Sequence, residues 1–141
     1  MVIVPFQAEH LFQVRVQRAD AFVAEIISPE AAVAMEQHVA FSALDGGTVL
    51  GCAGVVSPWP GRGMMWALFS EEIGAHWIAV HWFARRFVRD CGIRRLEATV
   101  AVEFEPGHRW VRQLGFEREI ERMECYLPTG GAASLYSRVA A

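Results

Sequence analysis

The sequence predicts an α/β domain built on a mixed, mainly antiparallel sheet. Two segments that combine apolar runs with turn residues, 39–57 around Asp45-Gly46-Gly47 and 120–139 around Gly130-Gly131, predict antiparallel hairpins. The segment 64–99 between them predicts a strand, a helix and a strand, and a crossover of this kind joins parallel strands. Two hairpins and one crossover in the same chain therefore favour a sheet of mixed strand direction.

The crossover is the most strongly patterned part of the chain. Met64 to Phe69 is a short apolar run that lacks glycine and proline, as in a buried strand. A tight turn is predicted at 70–75 and a helix from His76 to Asp90, with Ser70 placed to cap this unit and Gly92 to end it. Between them, apolar residues recur at three- and four-residue steps along one helical stripe: Ile73, Trp77, Val80, Ala84, Phe87 and Cys91. The second strand follows from Leu96 to Val100.

The remaining elements are predicted from caps, turn residues and alternation. Ser28 and Pro29 predict the start of a helix. The prolines and glycines from Pro58 to Gly63 predict a loop. Helices are predicted at 8–13, 19–27, 28–38 and 106–114, extended chain at 14–17, and further strands at 2–4, 39–44, 48–57, 120–127 and 133–139.

Length and composition indicate one domain, 1–141, with a high apolar content. Hydrophobic residues make up 53% of the 141 residues, yet no run approaches the roughly 20 apolar residues of a membrane span. The segment 1–6 lacks the basic region of a signal peptide, and a net charge of −3 gives no reason to bind nucleic acid. We therefore expect a cytoplasmic protein without membrane or nucleic-acid partners. Its surplus apolar residues and its tryptophans predict a homo-oligomer interface.

Cysteine and histidine positions show no disulfide or metal framework. Cys52, Cys91 and Cys125 are odd in number, far apart and set among apolar residues, which predicts reduced core thiols in a reducing compartment. His76 and His81 lie five residues apart and so do not share a helix face at the spacing of metal ligands. We predict no metal site.

Three local motifs carry a resemblance to a known family. Asp45-Gly46-Gly47 precedes the strand 49–54, the segment 109–116 ends in Leu-Gly-Phe, and the segment 126–136 has the character of a closing hairpin. In this order they resemble the GCN5-related N-acetyltransferases (GNAT), over nearly the whole chain. The resemblance implies a mixed sheet with helices on both faces, acetyl-CoA as cofactor, and a small-molecule or protein amine as acetyl acceptor.

The family holds the pyrophosphate of acetyl-CoA with backbone N–H groups in a loop between its fourth strand and third helix. The resemblance places cofactor contacts at Leu68, Phe69, Ser70, Gly74, Ala75 and His76. Of the family pattern Arg/Gln-x-x-Gly-x-Gly/Ala, only Gly74 is kept, because Glu71 replaces the first residue and His76 the last. Glu71 and Glu72 would repel a pyrophosphate unless they point away, whereas acids in a first helical turn favour the helix dipole. We expect weak cofactor binding that depends on the backbone.

The usual catalytic side chains of the family are not kept. Val111 stands where the family has a tyrosine, and no asparagine follows the fifth strand. Glu103, at the carboxyl end of that strand, is a candidate base acting directly or through water, and His108 is a candidate acid or base. For each, a surface or capping role is the alternative. The backbone N–H near Leu68 is the candidate donor to the thioester oxyanion.

Two functions stay open on the sequence. One is an acetyl-CoA-dependent N-acetyltransferase, or a relative that still binds CoA. The other follows from Trp66-Ala67-Leu68 and the segment 107–110, which resemble phage-encoded members, some described as internal virion proteins. It is a catalytically inactive protein of the host cytoplasm or virion that assembles with itself or with other phage proteins. The acids of the loop 71–76 favour the second. Five arginines form either a solvated helix end or a site for the CoA nucleotide or an acidic partner: Arg85, Arg86, Arg89, Arg94 and Arg95.

Overall fold

A computed structural model describes residues 1–14 and 27–140. The strands are β1 (Val2–Pro5), β2 (Ala40–Asp45), β3 (Thr48–Trp59), β4 (Arg62–Phe69), β5 (Arg95–Ala101), β6 (Glu117–Met123) and β7 (Ala133–Val139). The described α-helices are α1 (Ala8–Gln13), α2 (Pro29–Met35), α3 (Trp77–Asp90) and α4 (Glu105–Gln113), and a 3-10 helix at Glu71–His76 directly precedes α3. The strands form a mixed, mostly antiparallel sheet, as the sequence predicts.

Contacts between residues in space divide the chain into two compact units. The first comprises Met1–Val56 and Met65–Phe83, and its strand order is β1-β2-β3-β4. The second comprises Ser57–Met64 and Ala84–Ala141, and its strand order is β4-β5-β7-β6. Both β4 and α3 contribute residues to each unit. The expectation of a single domain stays a prediction.

In the first unit, helices cover both faces of the sheet. One face packs with α1 and α2 in a cluster of buried residues: Phe6, Leu11, Val14, Ala32, Ala40, Val49, Cys52 and Leu68. The other packs with the 3-10 helix and α3 in a second cluster: Ala43, Leu50, Ile73 and Val80. Side chains alternate between the faces of a strand, so Leu68 lies in the first cluster and Phe69 packs against the second.

In the second unit, β5 and β7 form a continuous antiparallel ladder from Arg95↔Val139 to Ala101↔Ala133. Arg138 of β7 donates through Nη2 to the carbonyl oxygen of Val88 and through Nη1 to that of Ile93. It therefore satisfies one carbonyl group in the last turn of α3 and one in the segment that follows the helix. Gly92, with φ of +73°, ends that helix as predicted.

The predicted strand–helix–strand crossover is confirmed. Strands β4 and β5 pair in parallel, with Arg62 opposite Arg95 and Met64 opposite Glu97, and the helix α3 joins them. Ile73 of the predicted helical stripe is buried. The helix begins within one residue of the expectation, because the predicted tight turn at 70–75 winds into the 3-10 helix and α3 starts at Trp77, directly after the predicted start at His76.

The prediction of a loop at 58–63 was wrong. Strand β3 continues to Trp59 and β4 begins at Arg62, so only Pro60 and Gly61 turn the chain. Proline is unusual in a strand because it has no N–H to donate. The paired residues of β2 and β3 run only as far as Gly54, so Pro58 interrupts no hydrogen bond between these two strands.

The strand predicted at 120–127 lies earlier, at Glu117–Met123. Tyr126 and Cys125 are consequently exposed residues of the following turn and not strand or core residues. Cys125 has a φ of +52°, which is the left-handed conformation that tight turns require. All three cysteines are free thiols as predicted, but only Cys52 is fully buried.

Two expectations concern residues that the structure does not describe. The extended chain predicted at 14–17 and the helix predicted at 19–27 lie almost wholly outside the described residues, and only Val14 and Ile27 at their ends are included. Both pack with the first cluster of the first unit. Among the described helices, none has the length and apolar character needed to cross a membrane.

Candidate active site

The end of β4 leads into a tightly hydrogen-bonded helix start. The backbone N–H of Ser70 donates to the carbonyl oxygen of Leu50 at 2.8 Å. The Ser70 hydroxyl accepts from the N–H of Glu72 at 3.1 Å, and its carbonyl oxygen accepts from the N–H of Ile73 at 3.2 Å. Ser70 is the cap that the sequence predicts. Because the cap occupies two amides at this helix start, those amides are not available to a pyrophosphate.

The 3-10 helix presents its acids and its glycine to solvent. Glu71, Glu72, Gly74 and Ala75 are exposed. A Cβ built on Gly74 meets no atom within 4 Å, and its φ is not positive. The chain therefore does not require glycine there for folding. His76 is half-buried, and its Nε2 lies 3.2 Å from Oδ2 of Asp45 in the β2–β3 turn, which ties this helix to that turn.

The backbone N–H groups of β4 alternate between its two edges. The Leu68 carbonyl oxygen lies on the β3 side of the strand, 3.1 Å from where a Cβ on Gly51 would stand. Two residues further on, the N–H of Ser70 also donates to β3, at the carbonyl oxygen of Leu50. The direction of N–H groups alternates along a strand. The Leu68 N–H is thus directed to β3, and those of Ala67 and Phe69 are directed to the opposite edge.

His108 of α4 is held by hydrogen bonds on both ring nitrogens. Its Nε2 lies 3.0 Å from the carbonyl oxygen of Ala101 and 2.9 Å from that of Val102, so this nitrogen carries the proton and donates. Its Nδ1 then accepts from the hydroxyl of Tyr136 at 2.7 Å. His108 is 5% exposed and Tyr136 is 0% exposed. This geometry favours the structural alternative, in which His108 joins α4 to β7 and to the end of β5.

Glu103 is an exposed residue of the turn between β5 and α4. The pKa of Arg122 is raised mainly by its hydrogen bond to Glu124, and the nearby carboxylate of Glu103 adds a smaller effect in the same direction. Exposure leaves Glu103 accessible to water and to a substrate amine, as a base would need to be. Glu103 and His108 belong to the second unit, whereas the six residues proposed for the cofactor, 68–70 and 74–76, are all in the first.

A network of charged residues in the second unit was missed by the sequence analysis. Arg62 donates to both carboxylate oxygens of Glu97 at 2.9 Å, and Arg95 donates to the same carboxylate at 2.7 Å and to Glu119 at 2.6 and 2.8 Å. Hydrogen bonds from Arg62 are the main reason why the pKa of Glu97 is lowered. Arg95 lowers the pKa of Glu119 to about 2. The four residues lie on three different strands, so their spacing in the sequence does not predict that they meet. Only Arg95 and Glu97, two residues apart on one strand, are predicted to lie on the same face of the sheet.

The basic cluster predicted at 85–95 is divided by its ion pairs. Arg89 binds Asp90 at 2.7 Å and Arg86 approaches the same carboxylate at 3.8 Å, while Arg95 belongs to the network around Glu97. Within the described ranges 1–14 and 27–140, no three or more His, Cys, Asp or Glu side chains gather as metal ligands would.

Comparison with known proteins gives a consistent result at the level of structure alone. A scan against models of protein families finds no match, and a search of curated proteins finds no relative. The Ard1 protein of Thermoplasma volcanium superposes with a TM-score of 0.79 at 12% identity, over 99% of this chain and 97% of that one. A GNAT superfamily phosphinothricin acetyltransferase from Sinorhizobium meliloti, solved in complex with AcCoA, gives 0.76 at 18% identity, over 99% and 88%.

A third solved structure agrees. The ribosomal-protein-alanine N-acetyltransferase of Brucella melitensis superposes with a TM-score of 0.73 at 12% identity, over 99% of this chain and 100% of that one. The chain has the GNAT fold. The likeness covers almost the full length on both sides, so the fold predicted from the resemblance is confirmed. At these sequence identities the likeness shows the fold alone, and any activity has to be argued from the residues of the site.

Proposed function

We propose that this chain binds acetyl-CoA beside the end of β4 and transfers its acetyl group to an amine. The observation that carries the proposal is the run from β4 through the Ser70 cap into 71–90, in a fold shared with an acetyltransferase solved in complex with AcCoA. In this chain that run keeps an open glycine, Gly74, where a phosphate can approach the backbone.

The chemistry assigns few roles to side chains. A substrate amine of pKa about 10.4 must lose a proton before it attacks the thioester carbon, and exposed Glu103 is the candidate base for that proton, directly or through water. A backbone N–H near Leu68, at the end of β4, stabilises the oxyanion, as expected from the sequence. The C–S bond then breaks, and the thiolate takes a proton from solvent because Val111 offers none. His108 holds the end of β5 through the carbonyl oxygens of Ala101 and Val102.

Affinity for the cofactor is weak in this proposal. The positive end of a helix contributes about 0.3–1 kcal/mol per exposed anion. Two unit charges 4 Å apart in water repel by about 1 kcal/mol, and by more where water is partly excluded. Glu71 and Glu72, both exposed beside Gly74, therefore offset the dipole or outweigh it. Salt screens exposed charges, so it reduces this repulsion.

Calorimetric titration with acetyl-CoA tests the proposal on three proteins. The unmodified chain should bind weakly, and the double variant Glu71→Gln, Glu72→Gln should bind more tightly. Gly74→Val should abolish binding, since a branched side chain blocks the close approach of the backbone while the open space at Gly74 leaves folding intact. The matched control is Glu117→Gln, Glu121→Gln on β6, which makes the same change in net charge on exposed residues.

Each result of these titrations has a definite meaning. Binding that is tight in the unmodified chain and unchanged in the Gln variant contradicts the role given to the acids. Normal binding by a folded Gly74→Val protein contradicts the site. If acetyl-CoA binds, Glu103→Gln should lower the rate of acetyl transfer to a panel of primary amines and leave the dissociation constant unchanged. An unchanged rate would remove Glu103 from the mechanism.

The second candidate is the inactive assembly protein of the same fold, including a phage protein of host cytoplasm or virion. One surface favours it: on α3, Ile78 and Trp82 are 73% and 59% exposed. Large exposed apolar side chains one helical turn apart are typical of a protein contact. Absence of acetyl-CoA binding together with stable self-association would support this candidate over the enzyme.

A further inference from the structure

The turn between β3 and β4 brings an exposed indole against an arginine. Its residues are Trp59, Pro60, Gly61 and Arg62, and Gly61 has a φ of +92°. Proline followed by a glycine of positive φ is the signature of a type II turn. The turn places the guanidinium carbon of Arg62 4.8 Å from the centre of the Trp59 ring, although Trp59 remains 57% exposed. The indole is therefore oriented by the protein and still accessible.

Two of the nearby guanidinium groups are held rigidly by Glu97, which is 8% exposed. Arg62 binds both of its oxygens and Arg95 binds one. Arg95 also binds both oxygens of Glu119, so each of its three side-chain nitrogens has a partner. Planar guanidinium groups fixed in this way lose little freedom when a ligand arrives.

These residues line a groove of about 460 Å³, within the range of small-molecule sites. Its lining is Trp59, Pro60, Gly61, Arg62, Arg94 and Arg95. Backbone hydrogen bonds fix two of its walls, from the N–H of Arg95 to the carbonyl oxygen of Gly61 at 2.9 Å and from the N–H of Ala140 to that of Arg94 at 2.8 Å. All of these residues belong to the second unit, whereas the proposed cofactor contacts belong to the first.

Charge at the groove is not balanced. Two of its three guanidinium groups, those of Arg62 and Arg95, pair with the carboxylates of Glu97 and Glu119, whereas that of Arg94 is outside these ion pairs. In the part of the chain that the structure describes, the guanidinium group of Arg94 and Nη1 of Arg62 have no hydrogen-bond partner. Free guanidinium donors in such a position match the oxygens of a phosphate or a carboxylate.

We propose that this groove binds a small planar ring that carries an anionic group, either a phosphate monoester or a carboxylate. The anion binds Arg94 and Nη1 of Arg62, and the ring stacks on Trp59. Exposed indoles bind planar rings of varied chemistry in this way. The site is independent of the function proposed above.

Titration of the full chain with adenosine monophosphate and with benzoate, at two salt concentrations, tests the site. Inorganic phosphate and adenosine serve as half-ligands. Binding of either ring-bearing anion, tighter than binding of the half-ligands and weaker at higher salt, supports the proposal. Phenyl phosphate, which has the same ring as benzoate, is titrated beside them, and the tighter of those two identifies the anionic group. Trp59→Ala and Arg94→Ala should each weaken that binding by about tenfold, the size expected for one stacking contact or one charged contact.

Matched variants separate this groove from other surfaces. Trp82→Ala removes a tryptophan of almost equal exposure, 59%, and Arg109→Ala removes another exposed arginine. Neither should change binding. The proposal is overturned if neither ring-bearing anion binds at millimolar concentration, or if phosphate alone binds as tightly. It is also overturned if Gly74→Val abolishes binding while Trp59→Ala does not, because the ligand then occupies the cofactor segment.

Discussion

Burial of the Cys52 thiol makes the free energy of unfolding depend on whether this thiol is protonated. Its side chain is 1% exposed in the first cluster of the first unit, and Ser42 approaches its sulfur at 3.5 Å. Burial raises the pKa of the Cys52 thiol to about 11, and the contact with Ser42 opposes this only in part. Ser42 also lies 2.8 Å from Nδ1 of His10. The thiol is therefore a neutral member of a polar group inside an apolar core.

The first prediction concerns alkaline pH. The folded chain keeps Cys52 neutral up to a pKa of about 11, whereas the unfolded chain ionises near the ordinary value of 9.0. The stabilising effect is complete below pH 9 and is lost as the pH rises toward 11, by an amount on the order of 2–3 kcal/mol. Urea unfolding between pH 8 and 11 measures this decline.

Two variants isolate the thiol from other groups that titrate in the same range. Cys52→Ala should lower the free energy of unfolding at pH 8, because it leaves a small cavity, but should decline less steeply up to pH 11. Cys125→Ala, at an exposed turn position, should keep the full decline. Parallel curves for the unmodified chain and Cys52→Ala would contradict the assignment.

At the scale of elements, ion pairs join three strands of the second unit, β4, β5 and β6. Glu97 of β5 binds Arg62 of β4, and Arg95 of β5 reaches Glu119 of β6 beyond the intervening strand β7. Strand β6 is otherwise an edge strand of exposed residues, and charged edges of this kind oppose pairing between molecules. The network therefore orients the edge of the second unit and also shapes the groove beside Trp59.

The second prediction concerns Glu97. Replacement by Gln keeps the shape but removes the charge that two arginines share, so the free energy of unfolding at pH 7 should fall by about 1–3 kcal/mol. Because the folded-state pKa of Glu97 is lowered, its contribution is present above the ordinary carboxylate pKa and is lost as the pH falls below it. The loss of stability on acidification should be smaller in Glu97→Gln.

Glu124→Gln is the matched control for that experiment. Glu124 pairs with Arg122, and both side chains are more than half exposed, so the change should cost less than about 1 kcal/mol. Equal effects of the two substitutions at pH 7 would show that the Glu97 network is no stronger than an ordinary surface ion pair.

At the scale of the whole molecule, the apolar content predicted an interface between copies of the chain, and this stays a prediction. Eleven large hydrophobic residues among those described are exposed, and Ile78 and Trp82 on α3 are the ones that lie one turn apart on a helix. A helix surface of this kind can pair with itself across a two-fold axis. Each copy would then bury the tryptophan of the other.

The third prediction is that the chain self-associates at tens of micromolar, a concentration suited to weak interfaces. Sedimentation equilibrium should give a mass above that of one chain, and Trp82→Glu should shift it toward the monomer by placing a charge in the contact. Trp59→Glu, of similar exposure in the other unit, is the control and should leave the mass unchanged. A single-chain mass for the unmodified protein at this concentration would refute the interface.

The sequence by itself determined the elements whose signals are local. The helical stripe from Ile73 to Cys91, the cap at Ser70, the glycine turns and the crossover all depend on residues within a few positions of one another, and the structure contains each of them. The candidate cofactor segment could be located for the same reason, because a strand followed by a capped helix is visible in a single stretch of chain.

Only the tertiary structure decided what each side chain contacts. In the fold, the two ring nitrogens of His108 bond to Tyr136 and to two carbonyl groups, and the Leu68 N–H is directed to β3. Two arginines bind the carboxylate of Glu97. Hydrogen-bond partners such as Arg62 and Glu97 lie 35 residues apart in the chain. They meet because strand pairing sets the register, and register depends on packing of the whole sheet and not on any local run of residues.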